Sequence, residues 1–487
     1  MALSRALAIV GSGLAAVVGT GCKDSVTPSA PITVTAVSPA RDLLGGGSSV
    51  TVTGTNFINV ISVTIGGSEL GNRTVVSATQ ITGVTPAVTS PGAKDVVVTT
   101  SSHGSATCSG CFTYLSNPPI LATALAAGGA HACGLSSAGA TYCWGDNFYG
   151  QLGDGTATSS SIPVAVAGGL SFSALAAGRY HTCGLTNAGS AYCWGGNYVG
   201  QLGDGSTTPS SVPVAVAGGL NFSAIAAGGV HTCGLISGGA AYCWGDDEVG
   251  QLGEVGDELP VIRTTPIAVS GGLRFSALAP GGIHTCGLIG GSAAYCWGGN
   301  YVGQLGDGST TNSSTPVPVA GGLNFSALTT GVGGHTCGLT MSGAAYCWGG
   351  NHIGQLGDGS TTLSSIPVAV SGGLSFSGLA AGAAHTCGLT RTGAANCWGN
   401  NEEGELGNGD IGPDTCNVAN WRCSRSPVAV AGGLTFSALT LGGVHTCGLI
   451  SGGAAYCWGD NSSGQLGDGT TTNSSIPVAV SWGLTSQ

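Results

Sequence analysis

The tag His-x-Cys-Gly-Leu occurs seven times in this chain, and each copy is followed by Cys-Trp-Gly. The first copy begins at His131 and the last at His445, and successive tag histidines are 50, 50, 53, 51, 50 and 60 residues apart. A period near fifty indicates that one supersecondary unit is copied along the chain. Seven copies of a strand-rich unit of this size predict a closed ring, a seven-bladed β-propeller, rather than an open solenoid.

The composition favours an all-β fold. Of 487 residues, 91 are glycine and only 7% are charged, which is typical of short strands joined by tight turns. The net charge is −11 and the chain has 11 Lys and Arg residues in total. Because no basic stripe is available to neutralise phosphates, we expect no nucleic-acid partner.

Within one repeat, strand alternation places His181, Cys183 and Leu185 on one face, and Cys193 lies across a hairpin from Cys183. A disulfide in each repeat is therefore predicted. The alternative is a metal site in each repeat, but the absence of a fourth ligand argues against it, so we expect neither metal nor cofactor. A histidine copied into every blade indicates a core hydrogen-bonding role rather than catalysis. The predicted pairs are Cys133 with Cys143, Cys183 with Cys193, Cys233 with Cys243, Cys286 with Cys296, Cys337 with Cys347, Cys387 with Cys397, and Cys447 with Cys457.

Four further cysteines form two close pairs, and one is left over. Cys416 and Cys423 lie in the long insertion of the sixth repeat, and Cys108 and Cys111 bracket a Ser-Gly dipeptide that is typical of a two-residue hairpin turn. Cys22 has no partner in the sequence. Many spaced pairs and one odd cysteine predict an oxidising compartment.

The N-terminus predicts export. Arg5 precedes an apolar run from Ala6 to Val18, and small residues lead to Cys22. Residues 1–22 resemble a bacterial lipoprotein signal peptide, which implies that Cys22 is lipidated and that the protein sits on the cell envelope; plain secretion is the alternative. Residues 23–31 form a short polar linker.

Residues 32–115 alternate with period two between Gly, Pro and Asn turns, which predicts a small β-sandwich. This segment resembles the IPT/TIG family of immunoglobulin-like domains. The resemblance is carried by Val37-Ser38-Pro39, Gly45-Gly46-Gly47, the run from Val52 to Phe57, the run from Val63 to Gly67, and Phe112-Thr113-Tyr114.

Residues 116–487 carry the pattern Gly-Gly-x-His-x-Cys-Gly-Leu followed by Cys-Trp-Gly-x-Asn-x-x-Gly-Gln-Leu-Gly-Asp-Gly. The pattern resembles the regulator of chromosome condensation (RCC1) repeat family, which implies a seven-bladed propeller. Each repeat would open on a Pro-Val-Ala-Val strand. The first repeat lacks this strand and a spare copy, Pro477-Val478-Ala479-Val480, ends the chain, so we expect the C-terminal strand to complete the first blade.

Candidate binding residues lie at two loop positions that vary among the repeats, directly before the tag histidine and directly after the Trp-Gly-x-Asn turn. A long insertion, from Asp410 to Ser426, adds a tryptophan between its two cysteines. The alternative is that these aromatic side chains only pack on neighbouring loops or cover a blade edge. The candidates are Phe148, Tyr149, Arg179, Tyr180, Tyr198, Glu248, Tyr301, His352, Glu402, Glu403 and Trp421.

These features predict a monomeric, non-enzymatic exported protein that binds a protein or glycan at the cell surface and contacts the membrane only through a lipid anchor. The family resemblance implies an alternative, guanine nucleotide exchange or chromatin regulation, which export and the acidic charge oppose. A carbohydrate-active propeller enzyme is the third possibility. Its non-repeated titratable residues would be Glu248, His352, Glu402, Glu403, Asp257 and Glu258, which lie in three repeats without a recognisable motif.

Overall fold

The computed structural model describes residues 30–90, 92–115, 121–255, 261–290, 292–410, 416 and 421–482. It divides into two compact units, residues 1–118 and 119–487. The expected signal peptide and Cys22 lie outside the described residues, as do Asp257 and Glu258. In the described part of the chain, no helix combines the length and apolarity needed to cross a bilayer.

The first unit is a β-sandwich. One sheet has the strand order β1-β3-β7-β6 and the other β2-β9-β8-β4-β5, with β2 and β9 parallel. Val52, Val63 and Val98 are fully buried between the sheets, as period-two alternation requires. The strands are β1 (Thr33–Ser38), β2 (Arg41–Leu43), β3 (Ser49–Thr55), β4 (Val60–Ile65), β5 (Ser68–Glu69), β6 (Gly71–Ser77), β7 (Gln80–Val84), β8 (Gly92–Thr100) and β9 (Gly104–Leu115).

The hairpin expected at Cys108 and Cys111 is wrong. Both cysteines lie in the single strand β9, and the register against β8 shifts between Lys94 and Val96. The extra residues form a bulge, in which Gly110 has a φ of 63° and its backbone N–H donates to Oδ1 of Asp95 at 2.8 Å. The disulfide therefore joins the two sides of a bulge within one strand.

The second unit is a ring of seven four-stranded antiparallel sheets, which confirms the predicted propeller fold. Each blade is formed by four consecutive strands. A single 3-10 turn, Ser371–Gly373, is the one helical element described. Blades 1 to 7 are β10–β13 (Ala122–Ala127, His131–Ser136, Thr141–Gly145, Ser160–Ala165), β14–β17 (Ala174–Ala177, His181–Leu185, Ala191–Gly195, Ser210–Ala215), β18–β21 (Phe222–Ala227, His231–Ile236, Ala241–Asp246, Ile262–Ala268), β22–β25 (Phe275–Pro280, His284–Ile289, Ala293–Gly298, Ser313–Pro318), β26–β29 (Phe325–Thr330, His335–Thr340, Ala345–Gly349, Ser364–Ala369), β30–β33 (Phe376–Ala381, His385–Thr390, Ala395–Asn400, Cys423–Ala429) and β34–β37 (Phe436–Leu441, His445–Ile450, Ala455–Gly459, Ser474–Ala479).

The tag cysteine and the cysteine of Cys-Trp-Gly face each other on the second and third strands of every blade. In blade 2, Cys183 is directly opposite Cys193, and their Cα atoms are 4.1 Å apart. All seven tag pairs form the predicted disulfides, so each blade is covalently closed at its centre, and Cys416 is also bonded to Cys423. The bonds in blades 1 to 7 join Cys133 to Cys143, Cys183 to Cys193, Cys233 to Cys243, Cys286 to Cys296, Cys337 to Cys347, Cys387 to Cys397, and Cys447 to Cys457.

The expected closure of the ring by a C-terminal strand is wrong. The Pro-Val-Ala-Val segment is the fourth strand of the preceding blade, because it pairs with the Cys-Trp-Gly strand that comes before it in the chain. Strand β37 accordingly completes blade 7, where Val478 is opposite Cys457. Blade 1 already has four strands of its own, beginning with β10.

Backbone hydrogen bonds join blade 7 to blade 1, such as the Gly443 N–H to the Gly129 carbonyl oxygen at 2.9 Å, and one side chain fills the remaining gap in the core at this junction. In blades 2 to 7 a phenylalanine, such as Phe172, packs over the tag glycine, here Gly184, and against the blade tryptophan. Blade 1 has Ala122 at this position. Trp482, which follows β37, fills the space above Gly134, with its ring centroid 5.3 Å from that of Trp144.

Buried hydrogen bonds join successive blades. The Thr232 hydroxyl donates to the carbonyl oxygen of Gln201 at 2.9 Å, so its oxygen accepts from Nε2–H of His181, 2.8 Å away. This histidine-to-threonine step recurs at six of the seven blade junctions. At the seventh, Ala132 replaces the threonine, and Nε2 of His445 has no partner in the described structure.

Candidate functional site

The two variable loop positions lie at the same end of the propeller. The turn between the first and second strands and the loop between the third and fourth strands of a blade both meet the His-tag end of the second strand. We call this end the loop face. In the sequence these two loop positions are far apart within each repeat. They meet at one end of the blade because neighbouring strands are antiparallel.

The exposed residue of this loop varies among the blades, while the backbone frame around it recurs. In blade 1 the buried Asn147 side chain bonds Leu152 N–H and the backbone of the same loop, and the Tyr149 N–H donates to Oε1 of Gln151 at 2.8 Å. This frame holds Phe148, the residue between Asn147 and Tyr149, in solvent. The exposed residues are Phe148, Tyr198, Glu248, Tyr301, His352, Glu402 and Ser462 in blades 1 to 7. A constant frame with variable tips is suited to recognition.

Three tyrosines of blades 1 and 2 form a contiguous group, which we call the tyrosine cluster: Tyr149, Tyr180 and Tyr198. The ring of Tyr149 lies edge-to-face against Tyr180 and Tyr198, with centroids 5.2 and 5.6 Å away. Phe148 extends the group, 4.9 Å from Tyr149, and the Arg179 guanidinium lies 5.0 Å from the centroid of Tyr180. Five predicted candidates are therefore joined in one patch.

The cluster is partly packed and partly open to solvent. Phe148 is 73% and Tyr198 63% exposed, whereas Tyr149 and Tyr180 are half-buried. Within the described structure, none of the three tyrosine hydroxyls has a hydrogen-bond partner. Beside them lies a cavity of about 170 Å³, lined by the cluster together with Gly196, Val199, Gln201 and Val230. The packing alternative from the sequence accounts for Tyr149 but leaves the outer rings uncovered.

The remaining candidates lie in other blades. Tyr301 of blade 4 is 62% exposed, and its hydroxyl accepts from Asn312 Nδ2 at 3.2 Å. Glu402 and Glu403 are exposed on blade 6, and Oε2 of Glu403 accepts from Asn473 Nδ2 of blade 7. His352 and Glu248 are exposed on blades 5 and 3. The described structure shows no ring contact or hydrogen bond that joins these residues to the tyrosine cluster.

The insertion of blade 6 is described only at its base. The carbonyl oxygen of Trp421 accepts from the N–H of Cys416 at 3.0 Å, and Trp421 is 42% exposed. The disulfide between Cys416 and Cys423 packs against Ile353 of blade 5. The cysteine pair therefore anchors the described tryptophan to the neighbouring blade.

The tag histidines lie in the interior and have no access to the loop face. Burial lowers the pKa of His181 to about 4, and burial followed by repulsion from His445 and His181 lowers the pKa of His131 to about 3. They are neutral at physiological pH and hold the blades together. No group of three or more His, Cys, Asp or Glu side chains in the described structure is arranged to hold a metal ion.

Two buried carboxyl groups on this face were missed in the sequence. Glu405 takes the place of the glutamine found in the other six blades, and burial raises its pKa to about 7. Asp247 replaces a buried asparagine, and burial raises its pKa to about 6. Alignment of the seven repeats would have shown both, because each is the one acidic residue at an otherwise amide position.

Comparison with known proteins gives matches to both units. The profile of the RCC1-like domain matches residues 112–439, and two profiles of the regulator of chromosome condensation repeat match residues 436–465 and 452–484. The IPT/TIG domain profile matches residues 31–115. The sequence-based assignment of both repeat and sandwich families is thereby confirmed.

Solved structures show the same propeller fold at low sequence identity. Prp20p of Saccharomyces cerevisiae, described together with its binding to Gsp1p and histones, is 23% identical, with 76% of this chain and 91% of that one covered and a TM-score of 0.62. Human WBSCR16 is 21% identical, with 70% and 94% covered and a TM-score of 0.62. Yeast RCC1 (Prp20) bound to Kap60 is 22% identical, with 76% and 86% covered and a TM-score of 0.61.

Proposed function

This chain belongs to the RCC1-like domain family, and from that premise we propose that it is a non-enzymatic, exported binding protein that recognises a partner through its loop face. The observation that carries the proposal is the tyrosine cluster with Phe148 and Arg179. Tyrosine, arginine and other large aromatic anchors dominate the energetics of binding surfaces. Tyrosine also offers a large contact area at a low cost in side-chain entropy.

The rigidity of the scaffold supports a recognition role. Each blade has a buried disulfide, and each blade tryptophan packs between neighbouring blades; the Trp194 indole donates to the Gln151 carbonyl oxygen at 3.0 Å. A surface that is already ordered loses little conformational entropy when a partner binds. The loop face can therefore present aromatic anchors without prior rearrangement.

Export is the second part of the proposal. Disulfides in every blade are typical of oxidising compartments, and the N-terminal sequence resembles a lipoprotein signal. We place the protein on the cell envelope, held by lipid on Cys22, with secretion as the alternative. Mass spectrometry of the protein from its native host tests this: a lipid-modified Cys22 at the mature N-terminus is expected, and an intact Met1 with free thiols would contradict it.

A non-catalytic role is supported by the dispersion of titratable groups. Glu248, His352 and Glu402 lie at the tips of blades 3, 5 and 6, one per blade, whereas general acid–base chemistry needs groups that converge on one substrate. Glu402 and Glu403 are adjacent in blade 6, but Oε2 of Glu403 accepts a hydrogen bond from Asn473 Nδ2.

Guanine nucleotide exchange or chromatin binding is the second candidate, favoured by the fold shared with yeast Prp20p. The acidic net charge and the disulfides weigh against it. Fractionation of the native host distinguishes the two, because this candidate requires reduced protein inside the cell.

The recognition proposal is tested by capture from the surface of the native host. Phe148→Ala and Tyr198→Ala are compared with Met341→Ala, an exposed apolar residue in a turn at the opposite end of blade 5. Loss of a central anchor costs about 2 kcal/mol, or about 30-fold in affinity. We expect that loss for both loop-face variants and none for Met341→Ala. Equal retention by all three would contradict the proposal.

A further inference from the structure

Six blades have a glutamine in the same hydrogen-bonding unit beneath the loop face, and in three of them, blades 2, 4 and 5, a glycine stands where the others have a carboxylate or amide partner. In blade 1, Gln151 Oε1 accepts from the Tyr149 N–H, and its Nε2 donates to Oδ2 of Asp146 at 2.6 Å. Blades 3 and 7 repeat the bond, from Gln251 to Asp246 and from Gln465 to Asp460. A carboxylate is thus the partner of this glutamine wherever the preceding loop supplies one.

Blade 2 keeps the glutamine and lacks the carboxylate. Gln201 Oε1 accepts from the Val199 N–H at 3.0 Å, as in the other blades, but glycine stands at position 196 in place of aspartate. Gln201 is 3% exposed, and its Nε2 has no hydrogen-bond partner in the described structure. This amide group lines the open cavity described above, where its N–H can donate to an external acceptor.

The space left by the missing aspartate is open and walled by the tyrosine cluster. Gly196 and Gln201 line the same cavity of about 170 Å³ as Tyr149, Tyr180 and Tyr198. Blade 4 also has a glycine, Gly299, but there the Ile283 side chain occupies the space. In blade 5 the surroundings of Gly350 are glycine and valine rather than aromatic rings. Blade 2 thus combines the unpartnered donor with an aromatic cavity.

We propose that this cavity binds a carboxylate side chain of a protein partner, with one carboxylate oxygen accepting from Gln201 Nε2 as Asp146 accepts from Gln151. The proposal rests on recognition by the loop face and names its central contact. Arg179 is not part of the lining, but its guanidinium lies 5.0 Å from the ring centroid of Tyr180, so it adds a positive charge next to the cavity. It is the one basic residue in the turns before the seven tag histidines.

An aspartate or glutamate side chain fits this lining better than an acidic sugar does. Val199, Val230 and the tyrosine rings offer apolar walls for a short aliphatic stem, and the amide lies at the base. A uronic acid ring also carries several hydroxyl groups, each of which needs a hydrogen-bond partner when it leaves water. Besides Gln201, the side chains of this lining offer only the hydroxyls of the three tyrosines.

The contact is tested on the full, oxidised chain with small probes. The side-chain amide resonance of Gln201 is followed by NMR, with Gln201→Glu for assignment, during titration with N-acetyl-aspartate methylamide. We expect a saturable shift with half-saturation at about 1–10 mM, the range of a single small contact. The asparagine analogue should bind at least about fivefold more weakly, because it lacks the charge. An unshifted resonance at saturating probe, or tighter binding of galacturonate, would overturn the proposal.

Gly196→Asp provides the matched variant, because it supplies from within the carboxylate that blade 1 has. A Cβ at Gly196 would lie 3.2 Å from both the Cβ and the carbonyl oxygen of Tyr180, so these atoms must shift by a few tenths of an ångström, and Gly196 does not have a positive φ. Gly350→Asp makes the same change in blade 5, where the nearest atom is 3.5 Å away. We expect the probe-induced shift to vanish in Gly196→Asp and to persist in Gly350→Asp.

The same two variants separate this proposal from the proposed function. If capture of the cell-surface partner requires Phe148 and Tyr198 but survives Gly196→Asp, the carboxylate contact is wrong and loop-face recognition stands. If capture is unchanged by Phe148→Ala, Tyr198→Ala and Gly196→Asp, loop-face recognition is wrong as well. Loss of capture in Gly196→Asp with retention in Gly350→Asp supports both.

Discussion

Replacement of Trp482 by alanine should destabilise the junction between blades 7 and 1, because this side chain takes the place of a core phenylalanine in blade 1. It is 5% exposed, and it contacts Tyr142 and Trp144 edge-to-face at 6.2 and 5.3 Å between centroids. It also covers Gly134, where other blades have their own phenylalanine. The strand sequence of blade 1 offers only Ala122 at that position.

The expected loss follows from the buried area. A tryptophan side chain buries about 150–250 Å², which corresponds to about 4–6 kcal/mol at about 25 cal/mol per Å². Because an extended unfolded chain overstates the area, we expect about 3–5 kcal/mol, as for other core Trp→Ala changes. The propeller unit spans residues 119–487. At an unfolding entropy of about 2.1 cal/mol/K per residue, its Tm should fall by about 4–6 °C.

All nine tryptophans lie in the propeller unit, so tryptophan fluorescence during urea or thermal unfolding reports on it and not on the sandwich. The decisive variant is the double change Trp482→Ala with Ala122→Phe. It gives blade 1 the phenylalanine of the other six and should recover more than half of the loss. Ala122→Phe alone should destabilise by about 1–3 kcal/mol through overpacking. If Trp482→Ala costs under about 0.5 kcal/mol, or if the two changes are additive, Trp482 does not stabilise the junction between blades 7 and 1.

Three further predictions concern buried polar groups. Ala132→Thr should give Nε2 of His445 its missing partner and stabilise the propeller by about 1 kcal/mol in urea unfolding. A destabilised variant would contradict the view that the histidine-to-threonine hydrogen bonds stabilise the blade junctions. Glu405→Gln should stabilise the propeller by about 2–3 kcal/mol at pH 8 and change its stability little at pH 4. The reason is that the fold raises the pKa of this carboxyl to about 7, so the wild-type propeller loses stability as the pH rises above the usual value of 4.5. An equal effect at both pH values would refute this. Acidification from pH 6.5 towards 4 should destabilise the propeller, because the unfolded chain protonates histidines that the fold keeps neutral, each contributing about 1.4 kcal/mol per pH unit. Calorimetry at pH 5 should show a net uptake of about five protons on unfolding, because the seven histidines bind protons while Glu405 and Asp247 release theirs. A midpoint that is constant from pH 7 to 5 would contradict this; the histidines are His131, His181, His231, His284, His335, His385 and His445.

Much of the proposed binding surface could be predicted from the sequence, because the seven repeats can be aligned with one another. Seven copies show which positions are constant, and Phe148, Tyr198 and Tyr301 stand at the exposed one. The clustering of Tyr149 with Tyr180 could not be read in this way, because these residues are on different blades and meet only across a junction. The missing partner of Gln201 could be found only from sequence and structure together. Alignment of the repeats shows that Gly196 replaces an aspartate, and the structure shows that no side chain fills the space.

The sequence by itself determined the number of blades, the pairing of the tag cysteines and the all-β class, because these depend on local periodicity and on residues ten apart in one hairpin. The sequence did not determine where each blade begins, because a repeat has the same period wherever its start is placed. The Pro-Val-Ala-Val strand was therefore assigned to the wrong blade, and the expected closure of the ring was wrong. Only the tertiary structure decided that β37 remains in blade 7 and that Trp482 crosses to blade 1. The physical reason is that strand pairing is satisfied locally, whereas filling the last gap in a ring depends on contacts between the two ends of the chain.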